Sequence, residues 1–388
     1  MNPTSRPALA RTTRAFPSRA NSPYAPSSFA FSSSALSSGA LSSLASSSLA
    51  LFVAASLALF CASAARGQSN TSQPSAGAKA AGAKTVGANP AASPGDAAAP
   101  RSNVIDSARL LRDVQTLSAD DMEGRRTGTP GGAKARAYVV DAFKRAGLEH
   151  YGADYLQPFT FARRGETYQA ANVVGFIRGK TEPARVIVVS AHYDHLGVIN
   201  NEVYNGADDN ASGTSALMAM ADYFSRHRPA HTIVFVAFDG EEEGLQGSQY
   251  FVKSPPLDLK SVVIDVNMDM VSRNDRGELY AAGAFAYPFL RPYLEEIAKA
   301  APVRLLIGHD DPKLGHDDWT LQSDQGAFHL AGIPFVYFGV EDHEDYHKPT
   351  DDFAKINRPF FVHSAETILS FVQLIDKNLD QIAAQAKR

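Results

Sequence analysis

The sequence predicts an α/β domain of three layers, α/β/α, around a central, largely parallel (mixed) sheet. Two observations carry this. Val186-Ile187-Val188-Val189 and Ile233-Val234-Phe235-Val236 are continuously apolar, as expected of strands buried on both faces. Such runs alternate with helical segments, so helices must cover both sides of the sheet. A third observation places a site on that fold. Acids and histidines gather just past the carboxyl ends of the buried runs, where an open α/β sheet offers a crevice to ligands.

The chain opens with material of a different kind. Residues 1–48 are rich in Ser, Ala and Arg, and Leu49 to Cys61 is apolar apart from Ser56. That run suits the apolar stretch of an export signal and is short for a membrane span of ~20 residues. Ala62-Ser63-Ala64 follows as a small-x-small cleavage pattern. Residues 1–64 are therefore read as a signal segment for export to the periplasm or the outside. A downstream start codon and an organellar transit peptide are the alternatives. Phe60 stands before Cys61 where a lipoprotein signal needs a small residue, and Cys61 is the single cysteine of the chain. Residues 65–100, dominated by Ala, Gly, Ser and Pro, cannot bury enough surface to offset their ordering entropy and read as a disordered linker.

Residues 101–388 read as one domain. Val104 to Leu117 and Ala133 to Ala146 have helical spacing, the second opened by Pro130-Gly131-Gly132 and closed by Gly147. Strands are expected over 172–177, 186–190, 232–238, 262–268 and 334–340. Helices are expected near 212–227, 288–300, 324–331 and 359–384. Seven of the 37 Lys and Arg residues, but one of the 41 Asp and Glu, precede residue 101, leaving residues 101–388 with a net charge of −10 against −4 for the chain. So acidic a domain lacks the basic footprint of a nucleic-acid binder. No stable membrane insertion is expected once the signal is removed.

The strand ends carry the chemistry. Ala191-His192-Tyr193-Asp194-His195 follows one run and Asp239-Gly240-Glu241-Glu242-Glu243-Gly244 another. Asn267-Met268-Asp269 ends a third, and Glu341-Asp342-His343-Glu344-Asp345-Tyr346-His347 follows a fourth. Gly206-Ala207-Asp208-Asp209-Asn210 opens a helix. Ionised groups gathered this way are costly to desolvate unless paired or bound to metal. Two divalent ions carry four positive charges. Three carboxylates and a hydroxide balance them, so two His, two Asp and one Glu, with one carboxylate shared, build a neutral two-metal site. Nitrogen and oxygen donors without thiolate suit catalytic zinc.

With these motifs in this order, and with Asp120-Asp121-Met122-Glu123-Gly124-Arg125 and the Gly-Thr-Pro-Gly-Gly at 128–132, the chain resembles the zinc-dependent exopeptidases of the bacterial leucine-type aminopeptidase kind. The resemblance covers most of residues 105–385. It implies a zinc peptidase domain over 101–388 and two zincs per chain. His192 and Asp269 would hold one zinc, Glu242 and His347 the other, and Asp209, before a cis peptide to Asn210, would bridge them. Glu241 would be the general base, Asp194 would orient His192, and Tyr346 would polarise the scissile carbonyl. The substrate would be a peptide with a free amino terminus.

Alternatives remain at this level. Asp208 would be the bridge if the register moved by one, and otherwise a solvated group or a hydrogen bond at the helix start. His343 competes with His347, and His195 lines the site or bonds locally. Glu243 is read as a support and the acidic stretch 309–318 as a solvated face or pocket rim. A carboxypeptidase, another amidohydrolase, a one-zinc glutaminyl cyclase or a metal-free binding domain would share the scaffold.

Overall fold

The computed structural model describes residues 101–386; the expected signal segment and linker lie outside the described residues. In chain order the elements are α1 (Ser107–Leu117), α2 (Pro130–Ala146), β1 (Leu156–Arg163), β2 (Glu166–Ile177), β3 (Glu182–His192), β4 (Gly197–Ile199), β5 (Glu202–Tyr204) and α3 (Gly213–Arg226). Then come β6 (His231–Phe238), α4 (Gln246–Lys253), β7 (Val262–Asp269), β8 (Glu278–Ala282), α5 (Arg291–Ala300), β9 (Arg304–Ile307), α6 (Gln325–Leu330), β10 (Phe335–Gly339) and α7 (Arg358–Ala386).

Eight strands form one sheet in the order β1-β2-β6-β3-β7-β10-β8-β9. The central four, β6, β3, β7 and β10, are mutually parallel. β2 joins β6 and β8 joins β10 antiparallel, which makes the sheet mixed. The apolar runs split their side chains between the faces, because successive strand residues point opposite ways. Ile187, Val189, Ile233 and Phe235 pack with α1, α2, α3 and α7 on one side. Val186, Val188, Val234 and Val236 pack with Phe251 of α4 and Phe328 of α6 on the other. The three-layer expectation is met, with all four central strands carrying their carboxyl ends to one edge.

The expected strands appear, β2 and β3 with longer amino-terminal ends. The sequence pattern did not reveal β1, β8, β9 or α4. β1 is a sheet edge with Pro158 inside it, and β8 and β9 have five and four residues, too short to show a period. α1 begins at Ser107 rather than Val104, because the Asp106 side chain accepts from Arg109 N and caps it. α2 begins earlier than expected, at Pro130, with Thr129 capping Gly132 N. Gly131 and Gly132 are therefore inside the helix rather than before it. Close approach explains them: a Cβ on Gly131 would fall 2.1 Å from Met122 O, and one on Gly132 2.4 Å from Arg126 O. The Met122–Arg126 stretch thus lies against the first turn of α2. Among the described residues no helix is long and apolar enough to cross a membrane.

Candidate active site and metal centre

Four positions deliver the side chains. His192 ends β3, Asp269 ends β7, Glu241 and Glu242 follow β6, and His347 follows β10. The fifth candidate ligand, Asp209, lies between β5 and α3, and its peptide bond to Asn210 is cis, as the resemblance implies. The Asn210 side chain fastens this turn, donating to Met268 O and accepting from Gly213 N. Asp351 accepts from the main-chain N–H groups of Asp208 and Asp209 at 3.1 Å.

The site has two halves. In one, His192 Nε2 lies 3.2 Å from Asp269 Oδ1 and 3.4 Å from Asp209 Oδ1. In the other, His347 Nε2 lies 3.1 Å from Asp209 Oδ2 and 3.3 Å from Glu242 Oε2. The two oxygens of Asp209 therefore face different histidines. Glu241 Oε2 stands off at 3.9 Å from His192. Donor atoms of His192, Glu241 and Asp269 lie within 4.8 Å of one another, as do those of His195, Asp209 and Glu242. All are nitrogen or carboxylate oxygen, a set that fits zinc.

The mutual electrostatics of these side chains show what a bound cation would relieve. Burial pushes the carboxyl of Glu241 well above its usual range, with the charge of Glu242 adding to it. Burial and Glu242 also raise Asp209. On Glu242 burial acts in the same sense, but hydrogen bonds from His195 and His347 outweigh it and hold the carboxyl well below the usual range. His347 goes up to about 10; burial opposes the shift, and Asp209 and Glu242 overcome it. Burial holds the Tyr346 hydroxyl protonated, with Asp209 and Asp269 acting in the same direction.

The supports differ in part from the sequence reading. Nδ1 of His192 is 3.1 Å from the main-chain carbonyl of Asp194 and 3.7 Å from its carboxylate. That carboxylate instead accepts from the N–H groups of Glu241 and Glu242 and from Thr127. Asp194 thus fixes the glutamate turn as well as standing beside His192. Asp208 is wholly buried and turns from the site to Ser272 and to His343 at 3.1 Å, so it is not solvated and both residues leave the ligand set. Glu243 is tied to Arg126 and Arg163, and His195 bonds Glu242 at 2.7 Å. Within the stretch 309–318, Asp310 is buried and accepts from Gly283 N and Phe285 N, so that residue is no solvated face.

Some residues of the site were not singled out by the sequence. Arg125 is wholly buried and donates to the main-chain carbonyls of Leu117, Tyr193, Asn205, Gly206 and Asp209, knitting both ligand loops together. Burial lowers it to about 10, leaving it cationic beside the acids. Asp324, wholly buried, is pushed up to about 7 by burial. Asp351, which holds the main chain of Asp208 and Asp209, completes the group. The signal for Arg125 was its place in the Asp-Asp-Met-Glu-Gly-Arg stretch. Asp324 and Asp351 gave none, since their partners are far away in sequence.

The family model of peptidase family M28 matches residues 172–372, which contain all these ligands. The chain belongs to peptidase family M28. A probable zinc metalloprotease of Leptosphaeria maculans is 30% identical over 54% of this chain and 51% of its own length. Aminopeptidase YwaD of Bacillus subtilis is 29% identical over 52% of this chain and 44% of its own. The chain thus spans about half the length of these curated relatives. Among solved structures, Porphyromonas gingivalis glutaminyl cyclase is similar at a TM-score of 0.58 and 18% identity, covering 70% of this chain and 99% of that one. A zinc aminopeptidase from Bacillus subtilis is similar at 0.55 and 17%, covering 70% and 95%. These likenesses establish the shared fold.

Proposed function

We propose that this M28 chain is an exported di-zinc aminopeptidase of the bacterial leucine type, removing residues from peptides with a free amino terminus. The observation that carries the reading is Asp209, whose two carboxylate oxygens face His192 and His347 separately. That is the arrangement of a shared ligand between two metal positions. His192 and Asp269 would hold one zinc and Glu242 and His347 the other. Bound zinc would lower the pKa of an attacking water and polarise the scissile carbonyl.

The residues of the chain do the rest. Glu241 lines the cavity and stands 3.9 Å from His192, farther than Asp269 or Asp209, so it can take a proton from water and pass it to the leaving amine. Tyr346, protonated at neutral pH, also lines the cavity and can donate to the developing oxyanion. Asp194 holds the glutamate turn in place for both tasks.

The cavity supports an amino-terminal substrate. Asp209, Glu241, Asp269 and Asp342 line it and, among the described residues, neither Lys nor Arg does. Asp342 and Glu241 offer a free ammonium carboxylate partners that the zinc reading leaves unused, whereas no Lys or Arg of the lining stands ready to hold a terminal carboxylate. Export rests on the Leu49–Cys61 run and Ala62-Ser63-Ala64. Aminoacyl chromogenic substrates should be cleaved and their N-blocked counterparts left intact. Cleavage of blocked peptides from the carboxyl end, or cyclisation of N-terminal glutamine without hydrolysis, would replace this reading by a carboxypeptidase or a cyclase.

A further inference from the structure

His195 has a geometry that the reading above does not use. Its ring is wholly buried. Nδ1 is 2.7 Å from Oε1 of Glu242, while Oε2 of the same carboxylate faces His347. Nε2 is buried and has no hydrogen-bond partner among the described residues. The ring packs on the main chain of Gly206, where a Cβ would fall 2.5 Å from its Cδ2 and 2.6 Å from its Cγ. Gly206 also has φ +54, a conformation glycine adopts freely.

We propose that His195 is a positioning residue for Glu242: its Nδ1–H donates to Oε1 and leaves Oε2 alone to face the second metal position. The orphan nitrogen distinguishes this role from direct ligation. To bind metal through Nδ1, the ring would have to carry its proton on Nε2, a buried N–H without an acceptor. In the present geometry that tautomer would both leave the Nε2–H unpaired and set a bare Nδ1 lone pair against a carboxylate oxygen 2.7 Å away. The tautomer with hydrogen on Nδ1 satisfies the short contact to Glu242 and strands no donor. Gly206, having no Cβ, leaves room for the ring in this place. A carboxylate whose spare oxygen is hydrogen-bonded holds its ligating oxygen in one direction, the kind of support whose loss typically lowers metal affinity by about 10–100-fold.

The inference rests on Glu242 being a zinc ligand, and the test separates the two. Metal-free protein is titrated with zinc against a chromophoric chelator, and both binding steps are fitted for four variants. His195→Asn places an amide N–H near the Nδ1 position and should keep the second zinc within about threefold of wild type. His195→Gln places its amide near Nε2, and His195→Leu has none; both should weaken the second zinc by about tenfold or more and leave the first unchanged. Glu242→Gln should weaken the second zinc whatever His195 does. If Glu242→Gln binds both zincs as wild type does, the ligand reading itself fails. If it loses one while His195→Gln and His195→Leu bind as wild type, only the positioning role fails. If His195→Asn loses the second zinc altogether, the imidazole is a ligand and the proposal is overturned. Nitrogen NMR of the zinc-loaded wild-type protein needs no variant: hydrogen on Nδ1 of His195 is expected, and a ring carrying its hydrogen on Nε2 alone would contradict it.

Discussion

The two halves of the centre are built from different materials. The His192 half stands on the last residues of two central strands, β3 and β7, and its imidazole is 1% exposed. The His347 half hangs on loops after β6 and β10, and its imidazole is 38% exposed. Strand ends need little help, because the paired backbone of β3 and β7 already fixes where their side chains go. Loop-borne ligands need struts, and the struts are here: His195 against Glu242, Asp194 under the glutamate turn, Asp351 on the main chain of Asp209. The cavity touches both halves, at Asp269 on one side and at His347 on the other. Rigidity and exposure are thus divided between two positions that share one carboxylate.

The largest effects should come from the adjacent glutamates, which the account assigns to different tasks. Glu241→Gln keeps shape but cannot accept a proton, so kcat should fall by ~100-fold or more with both zincs and substrate affinity retained. Glu242→Gln should instead weaken the loop-borne zinc by at least ~10-fold, since an amide is a poor substitute for a charged ligand. Metal content and kcat of the two purified variants provide the check. The reverse outcome would shift the register of the Glu241–Glu243 run by one.

A smaller effect should appear in the pH dependence of zinc binding, since the acids around them raise both His192 and His347. In metal-free protein His347 is raised from 6.5 to about 10. Its protonated contacts with Asp209 and Glu242 therefore stabilise the fold fully below pH ~6.5, and that contribution is lost as pH rises through 10. Zinc must displace this proton, so zinc affinity at the loop-borne half should rise with pH between about 7 and 10. Calorimetry in buffers of different ionisation enthalpy should record proton release on binding. A pH-independent affinity across that range would remove His347 from the ligand set.

The same division explains what could be read from the sequence. Apolar runs ending in His192 and Asp269 announce both the buried strand and the candidate site residue at its end, because strand and site share one local pattern. That Asp209, Glu242 and His347 would converge was legible through motif order. Their struts were not. Arg125 binds carbonyls up to 84 positions away, and Asp351 holds a turn more than 140 residues back. No local period encodes such partners. His195 was visible beside His192, yet its orientation toward Glu242 depends on Gly206 and on the turn after β6. The edge strands β1 and β9 were missed for a related reason: being short or half-exposed, they carry too few apolar positions to set a pattern.

The central claim is that Asp209 is shared between two metals. Zinc per chain, measured by elemental mass spectrometry on purified active protein with concentration from amino-acid analysis, tests it most directly. The account predicts a value close to two, falling in His192→Ala and in His347→Ala, with activity abolished by chelation. A fully active enzyme holding one zinc per chain would contradict it.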